Sequence, residues 1–101
     1  MVKHIIFWTL KDEYSDEEKR VIKRGIKEGL ESLQGKIPGL LSIRVRTDCL
    51  PSSNAEVMLD TSFADEESLK GYAVHPEHVA VANSKVRPFT KTRTCMDYVE
   101  E

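Results

Sequence analysis

Apolar positions alternate along Val2–Leu10, with His4, Ile6, Trp8 and Leu10 on one side, Ile5, Phe7 and Thr9 on the other, and Lys3 near the end. Both sides are largely apolar, which predicts a central strand covered on two faces. The period then changes. Asp12, Tyr14 and Ser15 interrupt the strand, and Ser15 with Glu18 has the spacing of a capping box, with Asp16, Glu17 and Glu18 supplying negative charge to a first helical turn. Ile22, Ile26, Leu30, Leu33 and Ile37 recur at steps of three or four, so a helix with one apolar stripe follows. Gly25 and Gly29 lower its intrinsic propensity. Packing on a sheet must therefore hold it, and the two glycines would admit a close neighbour. Gly35 weakens the helix end and Pro38-Gly39 breaks the chain.

A second alternation places Leu41, Ile43, Val45 and Thr47 opposite Ser42, Arg44, Arg46 and Asp48, predicting a strand near an edge with one apolar and one charged side. After a turn at Pro51-Ser52-Ser53-Asn54, Val57, Leu59, Thr61 and Phe63 alternate with Glu56, Met58, Asp60 and Ser62. The two strands form the central hairpin of the element order. Asp65, Glu66 and Glu67 open a second helix bearing Leu69, Tyr72 and Ala73, with a kink or restart at Pro76 and an end near Lys85. Phe89–Val99 supplies a last strand. The order β-α-β-β-α-β predicts an α+β fold, a four-stranded antiparallel sheet with both helices on one face. No further helix is available for the other face. A second copy of the chain is the expected cover, making a homodimer.

Composition narrows the partners. The 101 residues suit one domain spanning 1–101, and a chain of this size buries only roughly two thirds of its unfolded surface. With 15 Lys and Arg against 17 Asp and Glu, the net charge is -2, so neither nucleic acid nor an anionic membrane is an expected partner. The first apolar run is too short to span a bilayer and lacks a signal cleavage site. Cytoplasmic residence is the default expectation. Cys49 and Cys95 lack paired CxxC spacing and are expected as free thiols.

Val2-Lys3-His4-Ile5 at the start, Tyr72-Ala73-Val74-His75-Pro76-Glu77-His78 in the second helical region and Asp97-Tyr98 near the end make the chain resemble the stress-responsive α/β-barrel (Dabb) family over nearly its whole length. The resemblance implies a ferredoxin-like subunit whose sheet meets that of a second subunit in a dimeric α/β barrel. It also implies a small-molecule-binding, stress-associated protein. Related dimeric barrels include cofactor-independent enzymes, so a lyase, cyclase or isomerase acting on a small carbonyl compound is the alternative. In a plant member that closes a ring on a linear polyketide, the residues matching His78 and Tyr72 are regarded as the base and its partner at the substrate oxygen.

The residue chemistry is compatible with that role. A neutral imidazole at His78 accepts a proton near neutral pH, and the Tyr72 phenol can donate a hydrogen bond to a developing oxyanion. Six residues of unbroken helix would set the two about 9 Å apart, so the break at Pro76 must bring them together if they act jointly. His4, Trp8 and His75 are the candidate ligand contacts. His4 shares a strand side with Trp8, although a buried, hydrogen-bonded histidine is its simpler reading, while His75, just before proline, suits a cap. Phe7, Met58, Phe63, Leu69, Val79 and Met96 serve equally as pocket lining or core, and Arg44 and Arg46 as anion contacts or solvated edge charges. His75, Glu77 and His78 are too few and too interrupted for a metal site. No phosphate loop, dinucleotide fingerprint or Cys/His nucleophile pair is present, and no cofactor is expected.

Overall fold

The computed structural model describes residues 1–101. Its elements are β1 (Val2–Leu10), α1 (Asp16–Glu31), β2 (Leu40–Arg46), β3 (Val57–Phe63), α2 (Glu66–Val74), α3 (Pro76–Val81) and β4 (Thr90–Val99). A π-helical turn at Ala82–Val86 leads out of α3. The four strands form one antiparallel sheet in the order β2-β3-β1-β4. Within the hairpin β3 lies inside the sheet and β2 is an edge, where the charged side of β2 was expected.

The period-two residues of β1 and β3 decide which face is covered. Ile6, Trp8, Leu10, Val57, Leu59 and Phe63 join one buried cluster with Ile26, Leu30 and Leu33 from the first helical segment. Ser15 caps α1 through the predicted reciprocal box with Glu18. The apolar stripe outlasts the helix: Leu33 and Ile37 are buried although α1 ends at Glu31. Of the two helix glycines, Gly29 makes the close approach, since a Cβ there would lie 3.0 Å from Val81 on α3. Gly39, at φ 80°, turns the chain into β2 beneath Ser68.

On β2 the expected register fails at its first residue. Leu40 is buried while Leu41 is 52% exposed, because the pairing with β3 slips between Leu40 and Ser42. Such a bulge gives one strand an extra residue and reverses the face of what precedes it. Ile43 and Val45 keep their predicted inward places. The helix also closes this edge. Glu31 Oε2 accepts from the Val45 amide at 2.9 Å, Lys27 Nζ donates to the Val45 carbonyl at 2.8 Å, and Gln34 Oε1 accepts from the Ile43 amide at 3.2 Å.

The closed barrel implied by the resemblance is not formed. β2 and β4 occupy opposite edges and no ladder joins them, so the sheet remains open. Closure would require the two edges to pair, and the outer edge of β2 is instead occupied by Glu31, Lys27 and Gln34. The face away from the helices carries Phe7, Met96 and Tyr98, all exposed, around a Lys3–Asp60 ion pair at 2.6 Å. No helix is long and apolar enough to cross a membrane.

Candidate functional site

Where β1 and β3 pass beneath α2, α3 and the π-helical turn, the layers leave a cavity of about 190 Å³. His4, Ile6, Trp8 and Leu59 form its floor, Leu30, Leu69 and Tyr72 its walls, and His78, Arg87 and Arg93 its polar rim. The local break that builds it is His75-Pro76. His75 adopts an extended conformation (φ -66°, ψ 132°), ending α2, and its Nδ1 accepts from the Glu77 amide at 3.1 Å to start α3. Proline at the first position of α3 forfeits no helical hydrogen bond. This reorientation brings the rings of Tyr72 and His78 together, with centroids 4.1 Å apart and planes tilted by 36°.

Two buried polar atoms at this contact lack partners: the Tyr72 hydroxyl and His78 Nδ1. Buried polar atoms are nearly always hydrogen-bonded, and an unpaired one costs about 1–3 kcal/mol. Burial pushes the Tyr72 phenol far above its ordinary value, opposed slightly by the positive charge of Arg93. The phenol therefore remains a donor at neutral pH. Burial also lowers the His78 imidazole; the Ala73 carbonyl opposes that shift, and Arg87, His4 and Arg93 reinforce it. A neutral His78 has an acceptor nitrogen, as a proton-abstracting group requires.

His4 stands edge-on to Tyr72 with ring centroids 6.0 Å apart. Its Nδ1 lies 2.5 Å from Asp97 Oδ1 on the neighbouring strand. A carboxylate oxygen accepts, so the hydrogen of this contact is the one on His4 Nδ1. Trp8 and Leu69 line the cavity, and Phe63 packs on Tyr72 at 5.0 Å. His75 is absent from the lining and serves as the cap. Phe7, Met58, Met96, Arg44 and Arg46 lie on the helix-free side, away from the cavity. Asp97, Arg87 and Arg93 were not among the sequence candidates. The signal for Arg93 and Asp97 lay in β4, where they share one side with Cys95; Arg93 pairs with Trp8, Cys95 with Ile6 and Asp97 with His4. Arg87 follows an irregular turn and left no periodic signal.

Residues 2–100 match the stress responsive A/B barrel domain family, Dabb. A dimeric protein of unknown function from Bacteroides fragilis, with a ferredoxin-like fold, is 35% identical, with a TM-score of 0.89 over 96% of this chain and 93% of that one. A Dabb family protein from Mesorhizobium loti is 25% identical, with a TM-score of 0.71 over 99% and 96% of the two chains. The hydroxynitrile lyase of Passiflora edulis superposes with a TM-score of 0.74 over 99% and 93%, and at 18% identity that likeness is one of fold. No curated protein sequence matches the chain. With the β-α-β-β-α-β topology and the matched residues agreeing, the chain belongs to the Dabb family of stress responsive A/B barrel domains.

Proposed function

We propose that this chain is a homodimer whose helix-side cavity binds a small molecule bearing a carbonyl or similar oxygen. The observation that carries the reading is the pair of unpartnered buried atoms, Tyr72 Oη and His78 Nδ1, at the wall of one cavity. A ligand oxygen could accept from the phenol, while the imidazole could engage a ligand proton. Volume limits the ligand, because a cavity of about 150 Å³ admits a molecule the size of benzene. At about 190 Å³ this one suits that class and is too small for a long polyketide chain. Dimerisation is supported by the exposed Phe7, Met96 and Tyr98 on the helix-free face and by the dimeric state of the B. fragilis relative. The two copies would pack as open sheets, face to face.

A catalytic reading rests on the same pair, with no cofactor. His78 would take a proton from carbon beside the carbonyl, and Tyr72 would donate to the enolate oxygen as charge develops, giving lyase, cyclase or isomerase chemistry. Burial keeps the His78 imidazole unprotonated at neutral pH, free to accept a proton, and keeps the Tyr72 phenol protonated, able to donate. Benzene-sized aldehydes and ketones, titrated while the Tyr72 and His78 ring resonances are followed, provide the test. Saturable shifts are expected, with the His78 shift lost in Tyr72→Phe and the Tyr72 shift lost in His78→Ala. Binding that survives both substitutions would remove the assignment.

A further inference from the structure

A second cluster lies on the outer side of His4. Its Nδ1, Cys95 Sγ and Asp97 Oδ1 all fall within 4.8 Å of one another. The antiparallel register explains the convergence: His4 pairs with Asp97 and Ile6 with Cys95, so the three side chains project from the same face at the β1–β4 ladder. Sγ is 3.7 Å from Nδ1 and 3.4 Å from Oδ1. Around tetrahedral zinc, bonds of about 2.3 Å to sulfur and about 2.0–2.1 Å to nitrogen or oxygen set sulfur about 3.6 Å from either light atom. Two edges of the triangle already have that length.

We propose that His4, Cys95 and Asp97 form a three-ligand site for zinc(II), with the fourth position open to water. Only the His4–Asp97 edge, at 2.5 Å, must lengthen, to about 3.4 Å for a tetrahedral pair. That edge is now closed by the hydrogen the two atoms share, and the metal would replace it. Asp97 can yield because its side chain is 47% exposed at an edge strand. On binding, the Cys95 thiol proton leaves to solvent, the hydrogen on His4 Nδ1 leaves that atom, and sulfur and Nδ1 each donate an electron pair to zinc while the bound imidazole carries its hydrogen on Nε2. No electron is transferred. Binding has a functional consequence: it leaves the second nitrogen of this cavity-lining histidine as a hydrogen-bond donor. The site is separate from the Tyr72–His78 pair and from the His75, Glu77 and His78 segment.

Cobalt(II), titrated into the full chain as a spectroscopic stand-in for zinc, tests the assignment. The expected result is one ion per chain, a thiolate-to-metal charge-transfer band and the intense visible bands of tetrahedral cobalt, all displaced by zinc. Cys95→Ala should abolish the charge-transfer band and weaken binding by more than about 100-fold, beyond what losing an outer-shell contact costs. Cys49→Ala should leave both unchanged, and circular dichroism establishes that each variant is folded. Absence of the band in the parent chain, or its persistence in Cys95→Ala and loss in Cys49→Ala, would overturn the proposal.

Discussion

Phe7 and Trp8 are neighbours in the chain and stand on opposite faces of one sheet, Trp8 beneath the helices at 5% exposure and Phe7 open at 40%. Their substitutions should separate folding from assembly. Trp8→Ala opens the core and is expected to cost about 3–5 kcal/mol in urea unfolding. Phe7→Ser removes little packing within the chain but replaces an apolar group on the face assigned to the second copy. Sedimentation equilibrium should show it shifted toward monomer at a concentration where the parent is dimeric. Equal dimer affinity in Phe7→Ser would place the interface elsewhere.

The unpartnered phenol of Tyr72 gives an unusual sign to a stability measurement. Tyr72→Phe deletes a buried hydroxyl that has no hydrogen bond and retains the ring packed on Phe63 and His78. The variant should be as stable as the parent or more so, by up to about 1–3 kcal/mol, while losing affinity for carbonyl ligands. A marked loss of stability would mean that the hydroxyl has a partner in solution.

His78 makes folding sensitive to mild acid. Burial holds its imidazole below the ordinary value of 6.5, so as pH falls through that value the unfolded chain binds the proton first. Its contribution is complete above about pH 6.5 and declines as pH drops from there toward the folded-state value. At fixed protein concentration, the parent should lose more stability than His78→Gln between about pH 7.5 and about pH 5.5. Parallel losses would assign the acid sensitivity to other groups.

Gly35 and Gly39 share a left-handed backbone, at φ 84° and 80°, but not the same surroundings. A Cβ at Gly35 would meet nothing, whereas one at Gly39 would lie 2.0 Å from Ser68 Oγ. Gly35→Ala should therefore cost only the backbone penalty, about 1–2 kcal/mol. Gly39→Ala should cost clearly more, because α2 must also move. Chemical denaturation of the two variants side by side measures the difference.

Periodicity carried most of the fold because β1, α1 and β3 each bury one regular stripe. It misplaced Leu41, where a bulge adds one residue to β2 and local alternation cannot register an insertion that depends on the partner strand. It also left the separation of Tyr72 and His78 open. The bend at His75-Pro76 was legible from proline chemistry, but its direction depends on how α3 meets α1 at Gly29. Asp97 was visible only as part of a motif. Its approach to His4 follows from pairing between the two ends of the chain, which no local window contains.

The two rims of the sheet differ in how they are finished. Glu31, Lys27 and Gln34 occupy backbone groups of β2, while β4 is ten residues long and receives no comparable closure. An uncovered rim of that length is a template on which a strand from another molecule can dock and seed fibrils. Lys91, Arg93 and Asp97 put charge along it and make such recruitment unfavourable. A variant neutral at all three would present a bare adhesive border to other molecules of its kind.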